Sequence, residues 1–304
     1  MDSVSNSPTA SAAPIAFLKG HGTENDFVII PDPDNVIDLP AHAVAALCDR
    51  RAGIGGDGLL HVVRSAAHPE ARAMAGEAEW FMDYRNADGS VAEMCGNGVR
   101  VFARHLRRAG LVEPGDLAVA TRGGVKKVHL AKGTGADDGD ITVDMGRVVL
   151  PGGEVTVTVD GRATAARHVN MGNPHAVTFV DDLAHAGTLL TAPAVTPATA
   201  YPDGVNVEFV VGRGPNHVAM RVHERGSGET RSCGTGACAV AVAAARRDGV
   251  DPAVTGEPVT YTVDLPGGRL VVTERPDGGI EMTGPAVIVA EGHLEPAWQA
   301  TAFG

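Results

Sequence analysis

Met94-Cys95-Gly96-Asn97-Gly98-Val99 is echoed 138 residues later by Ser232-Cys233-Gly234-Thr235-Gly236-Ala237. The echo extends both ways. VRVFARHLRRAG ends at Gly110, 15 residues after Cys95, and ACAVAVAAARRDG ends at Gly249, 16 after Cys233. Upstream, YRNADGS and VHERGSG each begin 11 residues before their cysteine. Weaker echoes set Asn25-Asp26-Phe27-Val28 against Asn173-Pro174-His175-Ala176 and Gly58 against Asn206, both at a spacing of 148. Four ordered matches mark a duplicated domain.

Short β-branched runs bounded by Gly, Pro or Asp read as strands: Phe27–Ile30, Leu59–Val63, Val155–Val159, Val205–Val211, His217–Val222 and Leu270–Thr273. A helix-length stretch follows each C-G-x-G and is stopped by glycine. Cys238 to Ala245 is apolar all round, which suits a helix enclosed by a sheet. Pro266-Gly267-Gly268 and Pro276-Asp277-Gly278-Gly279 favour hairpins. The expectation is α/β: two pseudo-symmetric domains, each a curved, antiparallel-rich, barrel-like sheet around a central helix. Gly53–Gly58 has the glycines of a dinucleotide fingerprint but precedes an apolar strand instead of opening a helix, so a Rossmann reading fails.

The chain has 304 residues, enough for two domains with their own cores, and a net charge of −12. That acidity argues against nucleic acid and anionic membranes as partners. Cys233 to Ala245 is too short for the ~20 residues of a membrane span. The uncharged run from Leu183 to Pro202 reads as loop. Residues 1–14, MDSVSNSPTASAAP, lack a signal peptide's basic and apolar regions and read as a disordered leader. Sparse cysteine without a targeting signal points to the reducing cytoplasm.

Each repeat puts a cysteine at a helix start, where unpaired N–H groups stabilise a thiolate and lower the thiol pKa. The following glycines let those N–H groups approach a carboxylate. Two such sites facing across one cleft suit inversion at an α-carbon. One thiolate takes the proton from one face and the opposite thiol returns one to the other. None of the four lysines sits in a constellation that suggests pyridoxal chemistry, and no compact Cys/His spacing suggests a metal, so the expectation is no cofactor.

With these residues, the strings GHGTENDF, CDRRAGIGGDG, MDYRNADGSVAEMCGNGVR, MGNPHAV, GVNVEFV and HERGSGETRSCGTGACA resemble the diaminopimelate epimerase family from about Phe17 to Val289. The resemblance implies cofactor-independent interconversion of LL- and meso-diaminopimelate, for lysine and peptidoglycan precursors, in a cleft between two pseudo-symmetric domains of a homodimer. It also implies that the last strand returns to the first domain. The division is then 15–139 with 280–304, the latter including Pro285–His293, and 140–279. Cys95 and Cys233 match the catalytic cysteines. Gly96, Asn97, Gly234 and Thr235 match backbone donors to the reacting carboxylate, and Asn25 a neighbour of the reacting ammonium. Asn86, Asn173, Asn206 and Arg225 match the grip on the distal carboxylate, and Glu224 a contact to the distal ammonium. His175 and Glu224 match positions that tune the thiols. Two places depart: Gly58 stands where many members have Gln, and Thr23-Glu24 where Leu-Gly is frequent.

Cys48 and Cys238 read as core, and His21 and His217 as structural. Asn86, Asn173 and Asn206 taken singly read as turn formers; together, in these motifs, they read as a polar pocket. The rival readings are a proline or hydroxyproline racemase, disfavoured by Asn97 where those proteins carry His, a thiol-disulfide redox protein, and a binding module for a diamino acid.

Overall fold

The computed structural model describes residues 13–133, 135 and 139–304. The leader expected over residues 1–14 lies, up to residue 12, outside the described residues; Ala13 accepts a hydrogen bond from Gln299. The first repeat runs β1 (Ala16–Gly22), β2 (Asn25–Pro31), α1 (Ala41–Cys48), β3 (Gly58–Arg64), β4 (Trp80–Asn86), α2 (Gly96–Arg108), β5 (Gly115–Thr121), β6 (Gly124–Leu130) and β7 (Ile141–Arg147). The second runs β8 (Val155–Val159), β9 (Arg162–Asn170), β10 (Pro174–Phe179), β11 (Ala194–Thr196), β12 (Asn206–Gly214), β13 (His217–Glu224) and β14 (Gly228–Thr230). It continues through α3 (Gly234–Arg247), α4 (Pro252–Thr255), β15 (Val259–Leu265), β16 (Gly268–Glu274) and β17 (Gly279–Gly284). The chain closes with β18 (Val287–His293) and α5 (Pro296–Phe303).

The duplication is visible in strand register. β2 lies parallel to β3 with Phe27 opposite Gly58, and β10 parallel to β12 with His175 opposite Asn206. Each pair is displaced by the same 148 residues. In the next pairing Leu59 faces Arg85 and Val207 faces His223, so the offset has dropped to 138 on the second strand. The cause is the connection: a long loop with two 3-10 turns joins β3 to β4, whereas β12 and β13 form a tight hairpin. Both repeats then cross in parallel, β4 to β5 over α2 and β13 to β15 over α3. The antiparallel β7–β17 pair joins the halves, and β18 pairs with β1.

Each central helix is enclosed. In α3, Ala237 to Ala245 are nearly or wholly buried, and their small side chains let the sheet wrap all sides of the helix. α2 meets the same demand differently. Its Arg104 and Arg107 are buried and reach the carbonyls of Ala286 (3.1 Å), Ala131 and Gly135 (2.8 Å each). Gly110 and Gly249, both with positive φ, end the two helices. The run Leu183–Pro202, expected as loop, contains two 3-10 turns and β11, which pairs with β8 because Val195 seats beside Val157. Cys48 and Cys238 are core residues, as read.

Candidate active site

Both cysteines are helix N-caps with extended backbone. Cys95 Sγ accepts from the Gly98 N–H at 3.4 Å, and Cys233 Sγ from the Gly236 N–H at 3.3 Å. This is the capping geometry of a Ser or Asp, made with sulfur. The two helix starts meet. Asn97 Nδ2 donates across the seam to Ser232 O (3.3 Å) and Oγ (3.2 Å), and to Asn25 Oδ1 (3.2 Å), which also receives Cys95 Sγ at 3.6 Å. Thr23 Oγ1 and Ser232 Oγ lie 2.5 Å apart. A Cβ on Gly96 would stand 2.8 Å from the Met282 methyl, and one on Gly234 3.2 Å from the same atom. A side chain at either start would have to displace the flexible end of Met282, so glycine keeps the packing close there as well as leaving room for a ligand.

The second-half residues share one face of the sheet through strand alternation. His175 is wholly buried. Its Nδ1 lies 2.6 Å from Glu208 Oε1, and its Nε2 3.0 Å from Asn173 Oδ1. Asn173 Nδ2 donates to Thr235 Oγ1 (3.3 Å), which stands 3.6 Å from Cys233 Sγ. A hydrogen-bonded chain thus runs from Glu208 to the thiol. Asn206 Oδ1 accepts from the Arg225 N–H (2.8 Å), and Glu224 takes the Thr230 hydroxyl. The exposed Arg225 guanidinium rests on the Asp203 carbonyl at 3.0 Å. In the first half Asn86 is held by Ser90 and the Tyr84 hydroxyl (3.2 Å). Asn25 is held by Asp57, itself fixed by Arg50.

The expected lowering of the thiols does not prevail. Burial pushes Cys95 up to about 11; the Gly98 N–H opposes this and the Glu224 charge adds to it. Burial likewise pushes Cys233 well above the usual thiol range, with Glu224 and Glu208 adding to it and Thr235 and Gly236 opposing. Glu224 is raised by burial, partly offset by Thr230 and Cys233. The helix ends act in the expected direction, but desolvation is the larger effect.

Three residues were not singled out from sequence. Glu208 is a charged side chain in the otherwise apolar run Val207–Val211, and that anomaly was its signal. Tyr84 explains Gly58: a Cβ there would meet the tyrosine ring at 2.8 Å and the Arg85 carbonyl at 2.6 Å. The backbone carbonyl and the ring together leave no room for a Cβ at this position. Arg100 left no signal, because arginine in a helix reads as a solvated face. His21 and His217 stand apart, the latter bonded to Asp264 at 2.7 Å. A cavity of about 490 Å³ lined by Thr188, Leu189, Thr230 and Pro266, among others, contains none of the expected site residues. Among the described residues no helix is long and apolar enough to cross a membrane.

Known proteins align with this arrangement over nearly its full length. The profile of the family described as diaminopimelate epimerase matches residues 17–159 and 167–289. The chain is 78% identical over 284 residues to the diaminopimelate epimerase of Streptomyces coelicolor, covering 93% of this chain and 96% of that relative. It is 50% identical over 282 residues to that of Thermobifida fusca, covering 91% and 97%. Among solved structures, a phenazine biosynthesis protein of the PhzF family from Bacillus anthracis superposes with a TM-score of 0.68 at 15% identity, over 92% of this chain and 99% of that one. A hydroxyproline epimerase from Agrobacterium vitis gives 0.65 at 14% identity, over 94% of each. These distant structures share the fold, while the profile and the close relatives carry the family: the chain belongs to the diaminopimelate epimerases.

Proposed function

We propose that the chain interconverts LL- and meso-2,6-diaminopimelate by a two-base mechanism at Cys95 and Cys233, without cofactor or metal. The observation that carries the reading is the meeting of two thiol-capped, Gly-x-Gly helix starts at one seam, bridged by Asn97 and Ser232. One thiolate removes the α-proton and the opposite thiol delivers a proton to the other face. N–H groups of Gly96, Asn97, Gly234 and Thr235 hold the α-carboxylate as negative charge spreads from the carbon. Asn25 orients the α-ammonium. Asn86, Asn173, Asn206 and Arg225 hold the distal carboxylate, and Glu224 the distal ammonium, a set that one cation, one anion and several amides satisfy. His175 and Glu224 tune the thiols. The Arg225 guanidinium leaves the Asp203 carbonyl to make this contact.

The working units in this reading are residues 15–139 with 280–304, and 140–279, with substrate between them. The protein acts as a homodimer in the cytoplasm and supplies lysine and peptidoglycan precursors. The test is incubation of reduced protein with LL-diaminopimelate in deuterated water, without cofactor. The expected product is the meso isomer with one α-deuteron. Binding without exchange would leave only a binding module, and turnover of proline or hydroxyproline in its place would move the substrate.

A further inference from the structure

Arg100 is wholly buried on α2, five residues beyond Cys95. Its guanidinium turns back toward the helix start. It donates to Asn97 Oδ1 (2.9 Å), Thr23 Oγ1 (3.3 Å), the carbonyls of Pro285 (3.2 Å) and Gly96 (3.5 Å), and Met282 Sδ (3.7 Å). Every acceptor is neutral. A buried cation without a counter-ion is costly, and folded proteins ordinarily pair it. Burial accordingly brings Arg100 down to about 10, and Cys95 is the foremost charge acting the other way. Deprotonated, the Cys95 thiol would supply an anion to this cation.

The position in α3 that corresponds to Arg100 is Cys238, which is neutral and buried. The duplicated helix ends therefore differ in charge. Cys95 faces Arg100 from its own helix, Glu224 from the end of β13 and Tyr84 from β4. Arg100 also faces Cys238 from α3 and Asp140 ahead of β7. Cys233 faces Glu224 and Glu208, both acidic, with Glu208 bonded to His175. Glu224 bears on both thiols; the difference is Arg100 at Cys95 and Glu208 at Cys233.

We infer that Arg100 is a positioning residue that makes the two thiols unequal: its guanidinium reinforces the positive end of α2, assigns the resting negative charge to Cys95 and leaves Cys233 as the protonated partner. Free protein is then poised to accept a proton on the Cys95 side and donate one from the Cys233 side. The opposite state, left behind after each turnover in that direction, relaxes by proton exchange. The inference rests on the two-thiol reading above, yet its test needs no diaminopimelate.

The test is alkylation of full-length reduced protein by iodoacetamide from about pH 6 to 11, with Cys95 and Cys233 read separately by peptide mass spectrometry. Wild type is compared with Arg100→Met, which removes the charge, and Arg100→Lys, which keeps it and loses most of the five contacts. In wild type the midpoint of Cys95 should lie below that of Cys233. Arg100→Met should raise the Cys95 midpoint by at least about one pH unit, a tenfold loss of thiolate, with Cys233 unmoved. Arg100→Lys should keep Cys95 close to wild type. Equal midpoints, Cys233 ionising first, or equal shifts in the two variants would overturn the inference; the last outcome would make Arg100 a seam fixture only. If Arg100→Met does not fold, the wild-type order and the lysine variant still decide. A wild type that shows the expected order but does not turn over LL-diaminopimelate would refute the substrate reading alone.

Discussion

Beneath Cys95 the sheet presents Phe27 and Leu60; at the same places beneath Cys233 it presents His175 and Glu208. Backbone and register are duplicated, but the chemistry under the two helix starts is not. One thiol sits on an apolar floor and the other ends a chain of polar side chains fixed at a buried carboxylate. Two-sided proton transfer needs the thiols placed symmetrically about a carbon. It does not need them to have equal proton affinities, and unequal floors let one fold supply a base and an acid at once.

The sharpest break would come from the thiols themselves. Cys95→Ala and Cys233→Ala should each lower kcat/KM about a thousandfold or more in both directions, since each thiol serves one face whichever isomer is bound. Steady-state assays from LL and from meso substrate check this. A variant that loses only tenfold would mean that solvent serves that face, and the comparison would be between one working thiol and one bystander.

The floors can then be exchanged. Glu208→Leu leaves His175 Nδ1 without its partner and should cost about 1–3 kcal/mol, the range for a buried polar group left unsatisfied. Adding His175→Phe copies the first half and should recover most of that loss in urea unfolding while activity stays low, because Asn173 has lost its anchor. A single variant as stable as wild type would show that the His175–Glu208 hydrogen bond contributes nothing to stability. Failure of the double variant to recover stability would show that the second half cannot accept the apolar floor.

The parts of the molecule legible in sequence are those where the duplication repeats a spacing. C-G-x-G, its flanking echoes and the strands on either side repeat as strings, so the enclosed helices and the paired cysteines followed from counting. Glu208, Tyr84 and Arg100 were missed for the converse reason: they lie where the repeats differ, Leu60, Val222 and Cys238 holding the corresponding places in the other half. No periodicity marks them, and only packing shows that Tyr84 fills the space beside Gly58 or that an arginine is enclosed by a barrel. The direction of the thiol shifts was likewise misjudged, because a sequence displays the helix start and not the depth at which it is buried.

A further difference between the central helices is pH-sensitive. His105 on α2 is buried, both its ring nitrogens lack hydrogen-bond partners among the described residues, and Ala243 takes its place on α3. Burial, with help from Arg108, brings His105 down to about 4 from an ordinary value of 6.5. Between those values the unfolded chain binds a proton that the folded one refuses. Stability from this group is full above about pH 6.5 and is lost as pH falls toward 4, by up to about 3 kcal/mol. His105→Leu should flatten that part of the unfolding profile; a curve as steep as wild type would place the acid sensitivity elsewhere.

The smallest effect concerns the hairpin tips that precede Asn25 and Asn173. Thr23 and Glu24 hold φ values of 51° and 63°, while the second half has Gly172 at φ 99° in the place of Glu24. A left-handed glutamate carries strain of about 1 kcal/mol or slightly more, which glycine relieves. Glycine also gives the unfolded chain more freedom, worth about 0.4–1 kcal/mol in the other direction. The substitution further removes the exposed Glu24–Arg231 ion pair, worth about 0–1 kcal/mol. These contributions nearly cancel, so Glu24→Gly should change unfolding stability by no more than about 1 kcal/mol, with less dependence on salt. The hairpin itself is retained by Thr23, which packs against Gly267 and Gly268 and bonds Ser232 and Arg100. A loss well beyond about 1 kcal/mol would show that the Glu24–Arg231 pair carries more of the seam than an exposed ion pair ordinarily does.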